Sequence, residues 1–163
     1  MLSKRAKTLK PSPTLAISAM EKSLKAKGVD VVGFGAGEPD FPTPSHIKEA
    51  AIKAINENFT KYTPVTGTEE LKDAVIEKFK KDNGLVYTRD EVIITCGGKH
   101  ALFNLFQAII DEGDEVIIPV PYWVSYPAMV EVCGGRPVYL ETYEEEDFEI
   151  SPKRLKNLIT HKT

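Results

Sequence analysis

Gly97-Gly98-Lys99 and Pro119-Val120-Pro121-Tyr122-Trp123 are the two groups whose residue types and spacing could support chemistry. The glycines follow the β-branched run Val92–Thr95. They precede Leu102, Leu105, Phe106, Ile109 and Ile110, spaced as one helix face. A helix entered through two glycines offers backbone N–H groups and a positive dipole end to an anion. The spacing is neither that of a Walker loop nor that of a dinucleotide fingerprint. Taken alone, the turn reads either as structural or as a phosphate site.

The aromatic pair follows Val116-Ile117-Ile118, a second apolar run. If both runs are neighbouring parallel strands, the two groups lie beyond carboxyl ends, where open α/β sheets bind ligands. An isolated tryptophan is commonly a core anchor. A glycine turn beside Trp123 points instead to stacking on a planar ring that carries a phosphate. His46, His100 and His161 are scattered, and no Ser/His/Asp set or Cys/His metal spacing is present. Hard chemistry would therefore fall to an organic cofactor.

The elements that must position these groups alternate along the chain. Residues 1–13, with Pro11 and Pro13, are expected to be an irregular arm. A helix capped by Thr14 should run to about Lys27 with Ile17, Met20 and Leu24 as its stripe. Val31–Phe34 is expected as a short strand leading into the glycine-rich loop 35–41. Thr43 and Pro44 should start a helix that buries Ile47, Ala50, Ala51, Ala54 and Ile55. Thr66 and Glu69 fit a capping box for a helix ending at Asn83-Gly84. Strands at 92–95, 116–118 and 137–140 then alternate with helices, the last of these starting at Ser151-Pro152, as in a parallel α/β sheet. Gly113 and Gly134-Gly135 are placed as helix stops, and Met129, Val132 and Cys133 as inward residues. The acidic run 144–149 reads as a solvated loop. The alternation breaks off where a fourth strand is expected, so the chain is expected to be part of a larger protein.

The chain has 163 residues, 42% of them hydrophobic and 28% charged, the balance of a soluble globular domain. A net charge of −3 provides no basic field for nucleic acid. No apolar run approaches the ~20 residues of a membrane span, and the N-terminus lacks the apolar core of a signal peptide. Cys96 and Cys133 are expected as buried thiols, not a disulfide. A cytoplasmic setting follows as the expectation.

KPSPT (10–14), GAGEPDFPTP (35–44), TKYTPVTGTEELKDAV (60–75), VIITCGGKHALFNLFQAI (92–109) and GDEVIIPVPYWVSYP (113–127) resemble class I aminotransferases. These are fold-type-I pyridoxal-phosphate enzymes, and the resemblance is strongest to the bacterial-type aspartate group. It implies an α/β fold: the first part of the large parallel-sheet domain, residues 44–163, preceded by an N-terminal arm, helix and substrate loop, residues 1–43, on the small-domain side. It implies pyridoxal 5'-phosphate as cofactor, an amino acid and a 2-oxo acid as substrates, and a homodimer with shared sites. Gly97, Gly98 and Lys99 match the phosphate-binding turn, and Trp123 the aromatic that stacks on the cofactor ring and faces substrate. Tyr62 matches a tyrosine that reaches the cofactor phosphate of the partner subunit. Gly37 matches the loop glycine that meets the substrate α-carboxylate. Lys10, Thr14 and Lys99 match positions tied to an acidic substrate's distal carboxylate. The implied reaction moves the amino group of L-aspartate to 2-oxoglutarate. Prephenate, aromatic or broad specificity stays open, as does a non-catalytic ligand-binding domain of the same fold. The family's Schiff-base lysine, pyridine-pairing aspartate and carboxylate-binding arginine fall beyond Thr163. No catalytic residue is therefore expected within the chain, and residues 1–163 alone are expected to be inactive.

Overall fold

Glu115–Val120 (β1) and Arg136–Glu141 (β2) pair in parallel, in unbroken register from Glu115 opposite Arg136 to Val120 opposite Glu141. Parallel strands need a crossover, and Ser125–Val132, a helix, provides it. The structure, a computed structural model, describes residues 1–35 and 37–163, with every side chain among them except that of Thr8. Ala36, in the loop expected at 35–41, lies outside the described residues. The helices, in chain order, are α1 (Lys4–Thr8), α2 (Pro13–Ala26), α3 (Ser45–Asn56), α4 (Glu69–Asn83), α5 (Gly98–Ile109), the crossover α6 (Ser125–Val132) and α7 (Pro152–Leu158). They divide between two compact units, residues 1–31 with 97–163, and residues 32–96. The architecture is α/β, as expected.

The core of the first unit lies between the sheet and its helices. Ile118, Met129, Val130 and Leu140 are buried there. The chain approaches itself closely at Gly135, where a Cβ would stand 2.8 Å from Ile110 Cγ2 and 3.0 Å from Val130 Cγ1. At the carboxyl end of the sheet the Thr142 hydroxyl donates to the Val120 carbonyl. At the other end the buried Glu115 carboxylate accepts from Thr160 Oγ1 at 2.7 Å and from Arg136. Those bonds, Thr160's first, hold it below the usual carboxylate range. Ser151 caps α7 through Arg154 N–H, with Pro152 next, as expected.

Several expectations are corrected. Val92–Thr95 and Val31–Phe34 are not strands, and the sheet has two strands among the described residues. A strand needs a partner backbone. In residues 92–95 the Ile94 N–H donates to the Thr66 carbonyl, which belongs to a loop and not to a strand, and exposure runs from 8% at Val92 to 67% at Ile93. The arm contains α1, capped by the Ser3 hydroxyl. Ser12 caps α2 because Pro13 takes the first helical position, displacing Thr14 inward. Pro44 stands at the cap of α3 instead of its first position, and Thr68 caps α4 in place of Thr66. The reciprocal cap forms later, between Thr88 and Glu91. α5 ends at Ile109, before Gly113, because Ile110 is already extended. α2 and α3 bury no residue among those described. Val130 is buried in α6, while Val132 and Cys133 are half-buried, and Cys96 is exposed. One turn of 3-10 helix, Glu144–Glu146, begins the acidic run, and Glu146 pairs with Arg154.

In the second unit, Arg89 ties its turn to α4 through a fork to Asp73, at 2.6 and 2.5 Å, and a bond to Glu69 at 2.5 Å. Arg89 holds the Asp73 carboxyl below its ordinary range. Lys72, with help from Arg89, does the same for Glu69. A depressed folded pKa stabilises the fold above the unfolded value, and that stabilisation is lost as pH falls through the folded one. Arg89→Gln should therefore lower the urea midpoint at neutral pH, and the gap to the unsubstituted protein should close as pH falls below about 4. Leu140 is 1% exposed, so Leu140→Ala should cost about 2–5 kcal/mol in the same unfolding measurement.

Candidate functional site

The entrance to α5 is built by Gly97, at φ 89 and ψ 166. That backbone conformation disfavours any residue with a Cβ. It turns the extended approach of residues 92–95 directly into the helix, whose first residue is Gly98. Ala101 N–H donates to the Gly97 carbonyl at 3.2 Å and closes the first turn. A Cβ built on Gly97 or Gly98 meets nothing within 4 Å. The space beside both α-carbons is therefore open, and this backbone can be approached closely there. This suits a phosphate, which helix N-termini hold through N–H groups and the dipole.

Lys99, the second residue of α5, projects its ammonium over Trp123, 5.5 Å from the ring centroid. Trp123 follows β1 in the turn that opens α6, where its carbonyl accepts from Tyr126 N–H at 3.0 Å. It is 49% exposed, so it is not a core anchor. Gly98, Lys99, Leu102, Trp123, Tyr126 and Met129 bound a cavity of about 480 Å³. Glycine turn, cation and flat aromatic thus border one space, which fits a planar ring bearing a phosphate.

Lys99 also borders a second cavity, of about 660 Å³, together with Lys10, Ser12, Phe103, Tyr122 and Tyr139. The rings of Tyr122 and Tyr139 stack at 5.3 Å with an interplanar angle of 16°. A hydrogen bond with Tyr122, reinforced by burial, pushes the Tyr139 hydroxyl above its ordinary pKa. Two lysines beside apolar walls suit an organic acid, with Glu131 the one carboxylate among the described lining residues.

The expected residues Gly98, Lys99 and Trp123 come together around the first cavity, Gly97 stands one residue before them at the helix entrance, and Lys10 joins Lys99 at the second. Thr14 stands half-buried in the first turn of α2 and borders neither cavity as described. Gly37 and Tyr62 belong to the unit of residues 32–96. Gly37 has open space where a Cβ would be, and Tyr62 is fully exposed at 107%. Phe103, Tyr126, Met129 and Tyr139 were not anticipated as lining residues. The register pairing Ile118 with Tyr139 brings Tyr139 beside the turn after β1, and one chain read in order does not reveal that pairing. No helix among the described residues is long and apolar enough to cross a membrane.

The aminotransferase class I and II family matches residues 29–163. The aspartate aminotransferase of Bacillus subtilis is 58% identical over 162 residues, 99% of this chain and 41% of its own length. The aspartate/prephenate aminotransferase of Nitrosomonas europaea is 55% identical over 99% of this chain and 41% of its own. A solved structure of the Thermus thermophilus aspartate aminotransferase with maleate superposes with a TM-score of 0.96 at 53% identity, covering 100% of this chain and 43% of that one. The chain thus spans about two fifths of the length of these relatives. With the family match over residues 29–163, the glycine-led helix and the parallel βαβ unit have one explanation: the chain belongs to the aminotransferase class I and II family.

Proposed function

We propose that this chain forms part of a pyridoxal-phosphate-dependent aspartate aminotransferase, transferring the amino group of L-aspartate to 2-oxoglutarate. The observation that carries this reading is the glycine-led start of α5 bordering one cavity with Trp123. The 58% identity to the Bacillus subtilis aspartate aminotransferase supports it. Gly97, Gly98 and Lys99 would hold the cofactor phosphate through their backbone, and Trp123 would lie against the ring. Bound there, pyridoxal phosphate supplies an electron sink for bonds at the substrate α-carbon.

The remaining work falls to the chain's own side chains and backbone. Lys10, Thr14 and Lys99 bind the distal carboxylate and so select acidic substrates. Gly37 meets the α-carboxylate through its backbone, which the open space at its Cβ position permits. Tyr62 reaches the cofactor phosphate of a second subunit in a homodimer, a role its full exposure suits. Tyr122 and Phe103 exclude water from the acid-binding space, strengthening every charge interaction inside. Residues 1–43 belong to the small-domain side, and 44–163 open the large domain. The covalent lysine and its acidic partner are assigned to the further length that the relatives possess, and the protein is assigned to the cytoplasm.

A second reading is transfer to prephenate, a ring-bearing dicarboxylic oxo acid. The cavity of about 660 Å³, with Lys10 and Lys99 among aromatic walls, favours it, and the Nitrosomonas europaea relative carries both activities in its name.

The full-length protein carrying this chain, given pyridoxal phosphate, 15N-aspartate and 2-oxoglutarate, should form 15N-glutamate. Residues 1–163 alone should form none. Replacing 2-oxoglutarate by prephenate in the same assay separates the two specificities, and no labelled product with either acceptor would refute both. Gly97→Ala should weaken cofactor binding about five- to thirty-fold, because a residue with a Cβ at φ 89 costs about 1–2 kcal/mol, relieved by moving the turn. Gly98→Ala, at an ordinary helical position, should weaken it less. Dialysis against free cofactor, followed by absorbance, reads both.

A further inference from the structure

Lys99 is the one residue of the two cavities' acid-binding set that borders both of them. A lysine ammonium rides on a flexible four-carbon stem, and fixing it costs rotamer freedom. With open space on either side, that side chain needs something to hold it. Its ammonium lies 5.5 Å from the Trp123 ring centroid, within the roughly 6 Å at which an indole face attracts a cation. The contact uses the charge and leaves N–H donors for a carboxylate, because an ammonium has three.

We infer that Trp123, beyond any stacking against a cofactor, is a positioning residue for Lys99: its indole face holds the ammonium at the boundary of the two cavities and thereby sets the preference for dicarboxylic over monocarboxylic substrates. This role presupposes the aminotransferase reading above. It assigns to the indole a share of substrate selectivity that acts through Lys99, not by contact with the substrate. Preorganisation of this kind raises affinity by removing an ordering cost at binding. An exposed cation–π contact is worth about two- to five-fold in binding, which sets the size of the expected effect.

The test uses the full-length protein loaded with pyridoxal phosphate and calorimetric titration with succinate and with butyrate. The ratio of the two affinities cancels any general damage from altered cofactor stacking. Trp123→Leu should lower the succinate preference about two- to five-fold, and Trp123→Phe, which keeps an aromatic face, should restore most of it. In a Lys99→Met background the Trp123→Leu change should leave the ratio where it is. A second readout needs no variant at position 123. In protein labelled with 13C-lysine, the ε-methylene of Lys99, assigned by its loss in Lys99→Met, should resonate upfield through the indole ring current.

An unshifted Lys99 resonance overturns the proposal. So does a succinate preference that survives Trp123→Leu, or one that falls equally in the Lys99→Met background. If the unsubstituted protein transaminates aspartate and prefers succinate, any of these failures belongs to the Lys99–Trp123 coupling alone. If it does neither, the aminotransferase reading fails and takes the selectivity role with it, whatever the resonance shows.

Discussion

Parallel pairing of β1 with β2 leaves no short path from one strand to the next. The chain must leave the carboxyl end of β1, cross over through α6 and return to the same starting edge. Two consequences follow from that one constraint. Pro121–Trp123 has to emerge at the carboxyl edge, where backbone hydrogen bonding ends and side chains can face a ligand. And α6 has to lie against the sheet, which buries Met129 and Val130 against Ile118 and Leu140. The hydroxyl of Thr142 on the Val120 carbonyl fixes the two strand ends to one another at this edge. The turn that carries Trp123 is therefore anchored by the best-packed part of the unit.

Much of this was legible in the sequence because it depends on local chemistry. A β-branched run, a glycine pair and a 3.6-residue stripe specify a strand-like approach, a turn and a helix without knowledge of neighbours. Helix caps were legible to within one or two residues. The differences have a common form: Thr14, Thr43 and Thr66 each yielded the cap to a residue one or two positions away, as when Pro13 took the first position of α2 and left the cap to Ser12. What covers a face was not legible. The stripes of α2 and α3 were read correctly as apolar, yet no residue of either is buried among those described. Val92–Thr95 likewise has the composition of a strand, but pairing belongs to two chains of backbone and not to one sequence window. For the site, the residues that a turn or a helix start positions could be found by eye. Tyr139 and Phe103, which enter only through strand register and helix packing, could not.

Charge is used differently in the two units. Arg89 joins Asp73 and Glu69 on an exposed surface, where solvent and salt screen each pair and the gain comes from the forked geometry. Glu115 is buried at the foot of β1 and has both a hydroxyl and a guanidinium as partners. That matters because an unpaired carboxylate there would be costly to bury. Neither cluster borders the two cavities. The cations at those cavities, Lys10 and Lys99, share the larger one with aromatic walls and the Glu131 carboxylate.

The position of Trp123 has one more consequence. It is the single tryptophan among 163 residues, half-exposed and within reach of a lysine ammonium. Light absorbed at the red edge of the aromatic band, where tyrosine no longer contributes, is absorbed in this chain at that one ring. Its emission colour and lifetime therefore belong to the cavity it borders and to nowhere else in these residues. The indole is a built-in fluorophore that reports locally on charge, polarity and the arrival of a quenching ring, with no label added.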